Sequence, residues 1–305
     1  MTYFSEIVHL SDIARVHGDR CPDKKAFVFE DRVVTYKEFN TNSEKVANGL
    51  VLENVAEQDR VAYMDKNSDR FYELVMGCAK SNSVIVGINW RLAPPEVAYI
   101  LNDSSAKILF VGEDFFGLVE KILKDVPSIE KVICMSGTNK DWPSYEEWRD
   151  KQSDKICDRK PQLKDVAIQM YTSGTTGRSK GAMLTQNNLL SNAKTLVDYW
   201  QFNNKDTLLH ALPIFHTHGL FVAINVCLIS GSKIILMPRF NVDELIHNIP
   251  KATVLMGVPT FYTRLLSKDT FNKKLCEKMR LFISGSAPLL AETHVDFEER
   301  AAFKI

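Results

Sequence analysis

Short apolar, β-type runs alternate with amphipathic stretches along most of this 305-residue chain, and that alternation constrains its fold more than any other feature. Val61–Met64, Val84–Ile88, Ile108–Val111 and Val132–Met135 read as buried strands. Asp69–Lys80, Pro94–Asn102 and Phe115–Lys124 read as the helices between them. Thr35 and Glu38 have the spacing of a capping box opening a helix over Tyr36–Leu50. Pro94 and Pro95 suit a helix's first turn, where a missing N–H costs nothing. After a polar stretch, Gly137–Gln162, the alternation resumes. Strands are predicted at Val166–Tyr171, Thr207–Ala211, Lys233–Met237, Thr253–Met256 and Leu281–Ser284. Helices are predicted at Gln186–Trp200, Gly219–Ile229, Val242–Ile249, Pro259–Leu266 and Leu289–Arg300. Such a pattern predicts an α/β fold of largely parallel sheets flanked by helices. The polar stretch is the expected seam between a subdomain over 1–162 and a second over 163–305.

Composition narrows the function classes. Lysine plus arginine and aspartate plus glutamate are each 38, so the formal charge is zero and no basic surface for nucleic acid is expected. The N-terminus has no basic region ahead of an apolar core, so it does not read as a secretory signal. The most apolar stretch, Leu220–Ile229, is shorter than the about 20 residues that a bilayer requires. Six cysteines are scattered without C-x-x-C or metal-ligand spacing, which suits reduced thiols in a cytoplasmic protein.

Ligands of open α/β sheets sit beyond the carboxyl ends of the strands, so the loops after strands matter most. The loop Tyr171–Gly181, "YTSGTTGRSKG", holds three glycines, five hydroxyl side chains (Thr172, Ser173, Thr175, Thr176 and Ser179) and Lys180. Glycines let backbone N–H groups point at a polyanion, hydroxyls donate to phosphate oxygens, and a lysine adds a point charge. The composition fits a triphosphate cradle; the alternative is a Ser/Gly/Thr turn. It is not a Walker A loop, because two residues rather than four separate Gly174 from Gly177, and Lys180 precedes Gly181.

"YTSGTTGRSKGAMLTQNNL" resembles the signature of the acyl-adenylate-forming enzymes, which include acyl-CoA synthetases. "VVTYKEF", "VGINWRLAPPEVAYIL", "PIFHTHGL", "VPTFYTRLL" and "MRLFISGSAPL" fall where that family places its recurring segments, so the resemblance extends over the whole chain. The second half is most similar to malonyl-CoA synthetases, and the first half equally to generic fatty-acid–CoA ligases. The resemblance implies the layered αβαβα N-terminal domain of an acyl-CoA synthetase. It also implies ATP with magnesium, coenzyme A and a small carboxylic acid as ligands. Thr172, Ser173, Gly174, Thr175, Thr176, Gly177 and Lys180 match the family's β- and γ-phosphate loop. Lys180 is expected to act in the chemistry, and Thr176 to meet magnesium. Ser284, Gly285, Ser286, Ala287 and Pro288 match the segment that lines the adenine and acyl pocket.

In "FHTHGL", His218 is the first choice for a histidine that orients the substrate carboxylate or faces the α-phosphate, and His216 the second. The plain alternative for His218 is a helix-start histidine bonded to backbone. A dicarboxylic substrate needs a cation for its far carboxylate. Arg264 and Arg280 are the candidates, with Arg239 third. For each the alternative is a solvated surface arginine.

The family's later segments do not match before Ile305. These are the Tyr-Gly-x-Thr-Glu magnesium segment, the Thr-Gly-Asp ribose clamp and the C-terminal lid domain. The expectation is therefore an incomplete N-terminal domain that binds nucleotide without turning over alone. A medium- or long-chain fatty-acid–CoA ligase is the alternative enzyme, and a non-catalytic nucleotide-binding module the alternative of another class.

Overall fold

Local sequence signals set the element boundaries in the computed structural model, which describes residues 3–172 and 178–305. The first elements are α1 (Leu10–Arg20), β1 (Lys25–Phe29), β2 (Arg32–Thr35) and α2 (Tyr36–Leu52). The Thr35 hydroxyl accepts from the Glu38 N–H at 3.2 Å, and the Glu38 carboxylate accepts from the Thr35 N–H at 2.8 Å, so the capping box forms and opens α2. Next come β3 (Arg60–Met64), α3 (Asp69–Ser81), β4 (Val84–Gly87), α4 (Pro94–Ser104), β5 (Ile108–Val111), α5 (Phe116–Ile122) and β6 (Lys131–Cys134). Pro94 and Pro95 occupy the first turn of α4, as predicted. A short helix, α6 (Tyr145–Asp150), interrupts the polar stretch. The second half runs β7 (Val166–Thr172), β8 (Lys180–Thr185), α7 (Gln186–Tyr199), β9 (Thr207–His210) and α8 (Ile224–Ser230). It ends with β10 (Lys233–Leu236), α9 (Val242–Asn248), β11 (Val254–Gly257), α10 (Pro259–Leu266), β12 (Leu281–Ser284) and α11 (Ala291–Ala301).

The strands form two six-stranded sheets, in the orders β12-β11-β9-β10-β1-β2 and β6-β5-β3-β4-β7-β8. All pairings are parallel except the hairpins β1–β2 and β7–β8. Strand residues of the second sheet alternate between two hydrophobic clusters. Val61, Tyr63, Ile108 and Phe110 join one, and Ala62, Met64, Leu109 and Val111 the other. The second cluster is completed by Val97, Ile100 and Leu101 of α4 and Val119 and Ile122 of α5. The first is continuous with both sheets through α1, α2 and α3. Such two-sided burial is why these strands read as unbroken apolar runs. The arrangement is the layered α/β fold that the sequence predicts.

Three elements escaped the sequence reading: α1, the β1–β2 hairpin and β8. The sheets also do not divide at the polar stretch. β1 and β2, from the first half, join the sheet built by 207–284, and β7 and β8, from the second half, join the sheet built by 60–134. The connection itself is fastened to α2 and α3. Trp148 sits where a Cβ on Gly49 would fall 2.7 Å from its ring, and Arg149 pairs with buried Glu73 at 2.9 Å. The Cys157 N–H donates to Glu44, whose carboxylate pairs with Lys80 at 2.7 Å. Among the described residues no helix is long and apolar enough to cross a membrane.

Arg280 is held in an ion pair. It precedes β12 at the amino end of the strand, opposite the end that leads to Ser284. Its Nε and Nη2 donate to the two carboxylate oxygens of Asp206, each at 2.7 Å, and its other donors reach the Trp200 and Gln201 carbonyls. Burial would push the Asp206 carboxyl up, but Arg280, the Asn203 N–H and the Thr253 hydroxyl together hold it below its ordinary value.

Replacing Arg280 by alanine strands a carboxylate whose side chain is 3% exposed. The expected loss is about 2 kcal/mol of unfolding free energy, below the usual range for a buried pair because part of Arg280 faces solvent. The pair's contribution is present above the unfolded carboxyl value near 3.8 and vanishes as pH falls through the lower folded value. Urea unfolding of wild type and Arg280→Ala should therefore differ at pH 7 and converge in acid; equal stability at pH 7 contradicts the assignment.

Candidate active site

The two sheets are joined near the carboxyl ends of β3, β9 and β10 by one buried side chain. Asn67, in the turn after β3, is 4% exposed and crosses from one sheet to the other. Its Nδ2 donates to the carbonyls of Leu212 at 2.9 Å and Met237 at 3.0 Å, beyond β9 and β10. Its Oδ1 accepts from the Ile214 N–H at 3.2 Å. Residues 212–215 are thereby fixed against the second sheet.

The segment "FHTHGL" continues from that anchor. Phe215 packs edge-on to Trp90 at 6.2 Å, and the Arg91 guanidinium lies 4.1 Å from the centre of the Trp90 ring. His218 then begins a π-helical turn over His218–Ala223 that leads into α8. Gly219 is required there, because a Cβ would stand 2.2 Å from the Pro213 carbonyl oxygen. Turns of this kind recur at functional sites.

His218 faces the segment after β12. Its Nδ1 lies 3.2 Å from the Ser286 hydroxyl, and a Cβ on Gly285 would fall 3.0 Å from its Cε1. The ring is thus held by a side chain and by the bare Gly285, not by backbone. Ser286 has φ +69°, a left-handed conformation that turns the chain toward α11. Burial lowers the His218 pKa, so at neutral pH the ring is an uncharged hydrogen-bonding group. His216 is exposed, its ring 4.6 Å from that of Phe215, and burial together with the Arg91 charge lowers its pKa too. His216, His218 and Ser286 line a cleft of about 370 Å³ with Leu212, Pro213 and Val258.

The phosphate-loop signature approaches from the second sheet. Thr172 and Lys180 form the last pair of the β7–β8 hairpin, and both are exposed. Ser173, Gly174, Thr175, Thr176 and Gly177 lie outside the described residues, and with them the magnesium expectation at Thr176. Among the described residues no group of three His, Cys, Asp or Glu side chains could hold a metal ion. Near the base of the hairpin, the Thr217 hydroxyl lies 3.8 Å from Met170 Sδ, so the phosphate-loop stem and "FHTHGL" are in contact.

Two buried polar side chains at this end of the first sheet have polar atoms without partners among the described residues. One is the Ser284 hydroxyl, at the carboxyl end of β12, and the other is His210, at that of β9, with both ring nitrogens unpaired. His210 is fully buried; burial, with the nearby His218 adding to it, pushes its pKa down to about 3. Sequence reasoning missed His210, although a histidine inside the apolar run "LLHAL" was a visible signal. Ala287 and Pro288 are exposed in the turn toward α11. Arg264 is exposed on α10 with its guanidinium 5.7 Å from the centre of the Phe240 ring, and it does not line the cleft.

The geometry has close counterparts among known proteins. The AMP-binding enzyme family matches residues 14–304. The fatty acid–[acyl-carrier-protein] ligase ScoC of Streptomyces coeruleorubidus is 31% identical over 283 residues, 90% of this chain and 52% of the relative. The indoleacetate–CoA ligase of Aromatoleum aromaticum is 28% identical over 295 residues, 94% of this chain and 58% of the relative. The crystal structure of ATP-bound MatB from Rhodopseudomonas palustris superposes with a TM-score of 0.88 at 37% identity, covering 97% of this chain and 58% of that one. The chain thus spans little more than half the length of these relatives. With two sheets bridged by Asn67 and a family match along nearly its whole length, this chain belongs to the AMP-binding enzymes.

Proposed function

We propose that the protein of which this chain is part is an AMP-forming acid–CoA ligase, and that this chain supplies its ATP-phosphate and acyl subsites. The observation that carries the reading is that "FHTHGL" touches both the β7–β8 hairpin, through Thr217 and Met170, and Ser284–Pro288, through His218 and Ser286. In the first step a carboxylate oxygen attacks the α-phosphorus of ATP and pyrophosphate leaves. In the second the coenzyme A thiol attacks the carbonyl carbon of the acyl-adenylate, loses its proton and displaces AMP. Positioning and charge neutralisation carry the first step. Lys180, beside the loop, meets phosphate charge. In the tautomer in which Ser286 donates to Nδ1, His218 carries its proton on Nε2 and offers it as a hydrogen bond to the carboxylate or an α-phosphate oxygen. Magnesium, brought with ATP, neutralises phosphate charge when bound. The six unpaired cysteines, five of them buried, suit the reducing cytoplasm.

Calorimetry with the 305-residue chain tests the nucleotide subsite. ATP should bind more tightly than AMP, and Lys180→Ala should weaken ATP by about tenfold while leaving AMP within twofold. Equal affinity for the two nucleotides, or none for either, contradicts the reading.

For the acyl group we propose a small dicarboxylate of malonate or methylmalonate type, following the resemblance of the second half to malonyl-CoA synthetases. A non-hydrolysable malonyl-adenylate analogue should bind wild type about tenfold more tightly than a hexanoyl analogue. If the hexanoyl analogue binds better than the malonyl one to wild type, the fatty-acid reading replaces this one.

A further inference from the structure

The stem of the phosphate hairpin is the least supported part of its sheet. β8 is an edge strand, paired only to β7, with most of its residues exposed or half-buried. One helix compensates. Asp103 and Tyr99, one turn apart on α4, reach the two sides of the stem. The Tyr171 hydroxyl, on the ascending strand, donates to Asp103 Oδ2 at 2.6 Å. The Tyr99 hydroxyl donates to the Ser179 carbonyl, on the descending side, at 3.1 Å. The Arg178 guanidinium lies 5.3 Å from the centre of the Tyr99 ring.

The ring of Tyr171 lies across the hairpin because its cross-strand partner is Gly181. A Cβ there would fall 3.1 Å from Tyr171 Cζ and 2.5 Å from Gln169 Nε2. Gln169 in turn donates to the Tyr171 hydroxyl at 2.8 Å and accepts from Arg60 Nε at 3.1 Å. Tyr171 therefore has its acceptor site filled, and its proton goes to Asp103. Burial, and then the Asp103 carboxylate, raise the Tyr171 pKa, so it remains a donor. α4 is itself anchored, with Val97, Ile100 and Leu101 in the second hydrophobic cluster.

We propose that Asp103 and Tyr99 are positioning residues for ATP: they latch both sides of the hairpin stem to α4 and so set the register at which it presents Thr172 and Lys180 to the β- and γ-phosphates. The inference rests on the assignment of the hairpin to ATP phosphate. It makes a distinction that a purely structural role does not make. The latch acts where the terminal phosphates bind, so its loss is felt by ATP and not by AMP.

The test is calorimetry of the 305-residue chain with ATP and with AMP. It compares wild type, Tyr99→Phe, Asp103→Leu, Asp103→Asn, Tyr171→Phe and the double variant Asp103→Leu/Tyr171→Phe, each checked for an unchanged thermal midpoint. Tyr99→Phe removes one oxygen and serves if the leucine variant fails to fold. Expected are losses of about tenfold in ATP affinity for Asp103→Leu, Tyr171→Phe and Tyr99→Phe, with AMP affinity within twofold. Asp103→Asn, which keeps an acceptor, should restore most of the ATP affinity, and the double variant should be no weaker than either single one. If wild type prefers ATP and the variants match it, or if ATP and AMP affinities fall together, the latch is wrong and the ATP assignment stands. If wild type does not distinguish ATP from AMP, both are wrong.

Discussion

The junction of the two sheets depends on one buried side chain. Asn67 satisfies two carbonyls and one N–H of the first sheet's loops from a turn of the second sheet. Its amide fits this task because it offers donors and an acceptor from one planar group. Buried in this way, every one of those bonds matters, since an unpaired polar group away from water costs about 1–3 kcal/mol. The two sheets are thus joined by directional bonds at the ligand end and by continuous apolar packing elsewhere. Packing alone would tolerate sliding; the amide fixes the register in which "FHTHGL" meets the base of the phosphate hairpin.

From that anchor the remaining geometry follows by close approach. Gly219 lets the π-helical turn press against the Pro213 carbonyl, and Gly285 leaves room for the His218 ring. Both glycines are needed for absent volume rather than for a left-handed backbone. The outcome is an uncharged imidazole with one nitrogen committed to Ser286 and the other available. His210 lies deeper and is also neutral, so the end of the first sheet presents hydrogen-bonding capacity without positive charge. The lysine of the phosphate hairpin, Lys180, is exposed and lies outside the cleft lined by His218.

Much of this was legible in the sequence, and the failures have definite causes. The strands between 60 and 134 were readable because both of their faces are buried, which writes an unbroken apolar run. The Thr35–Glu38 box and the α4 prolines were readable because they act locally. β8 was not, because an edge strand with an exposed pattern carries no periodic signal. The seam at 137–162 failed because polarity marks a surface connection and does not say which sheet the flanking strands join. Arg280 could have been set aside from sequence alone, since it precedes its strand and so lies at the amino end, away from ligand. Asn67 could not, because its partners are about 145 to 170 residues away and nothing near it in the chain announces them.

The exchange of strands between the halves has a consequence for how the chain is made. β1 pairs in parallel with β10, aligning Phe27 with Ile234 and Phe29 with Leu236. An N-terminal hairpin formed early in synthesis therefore waits, with one edge unpaired, for a strand some two hundred residues downstream. Contacts of such long sequence separation slow folding and leave apolar strands open to misassociation in the interval. A nascent chain halted in the polar stretch would hold β1 and β2 without their sheet, so on the ribosome the vulnerable window closes only after residue 236 has emerged.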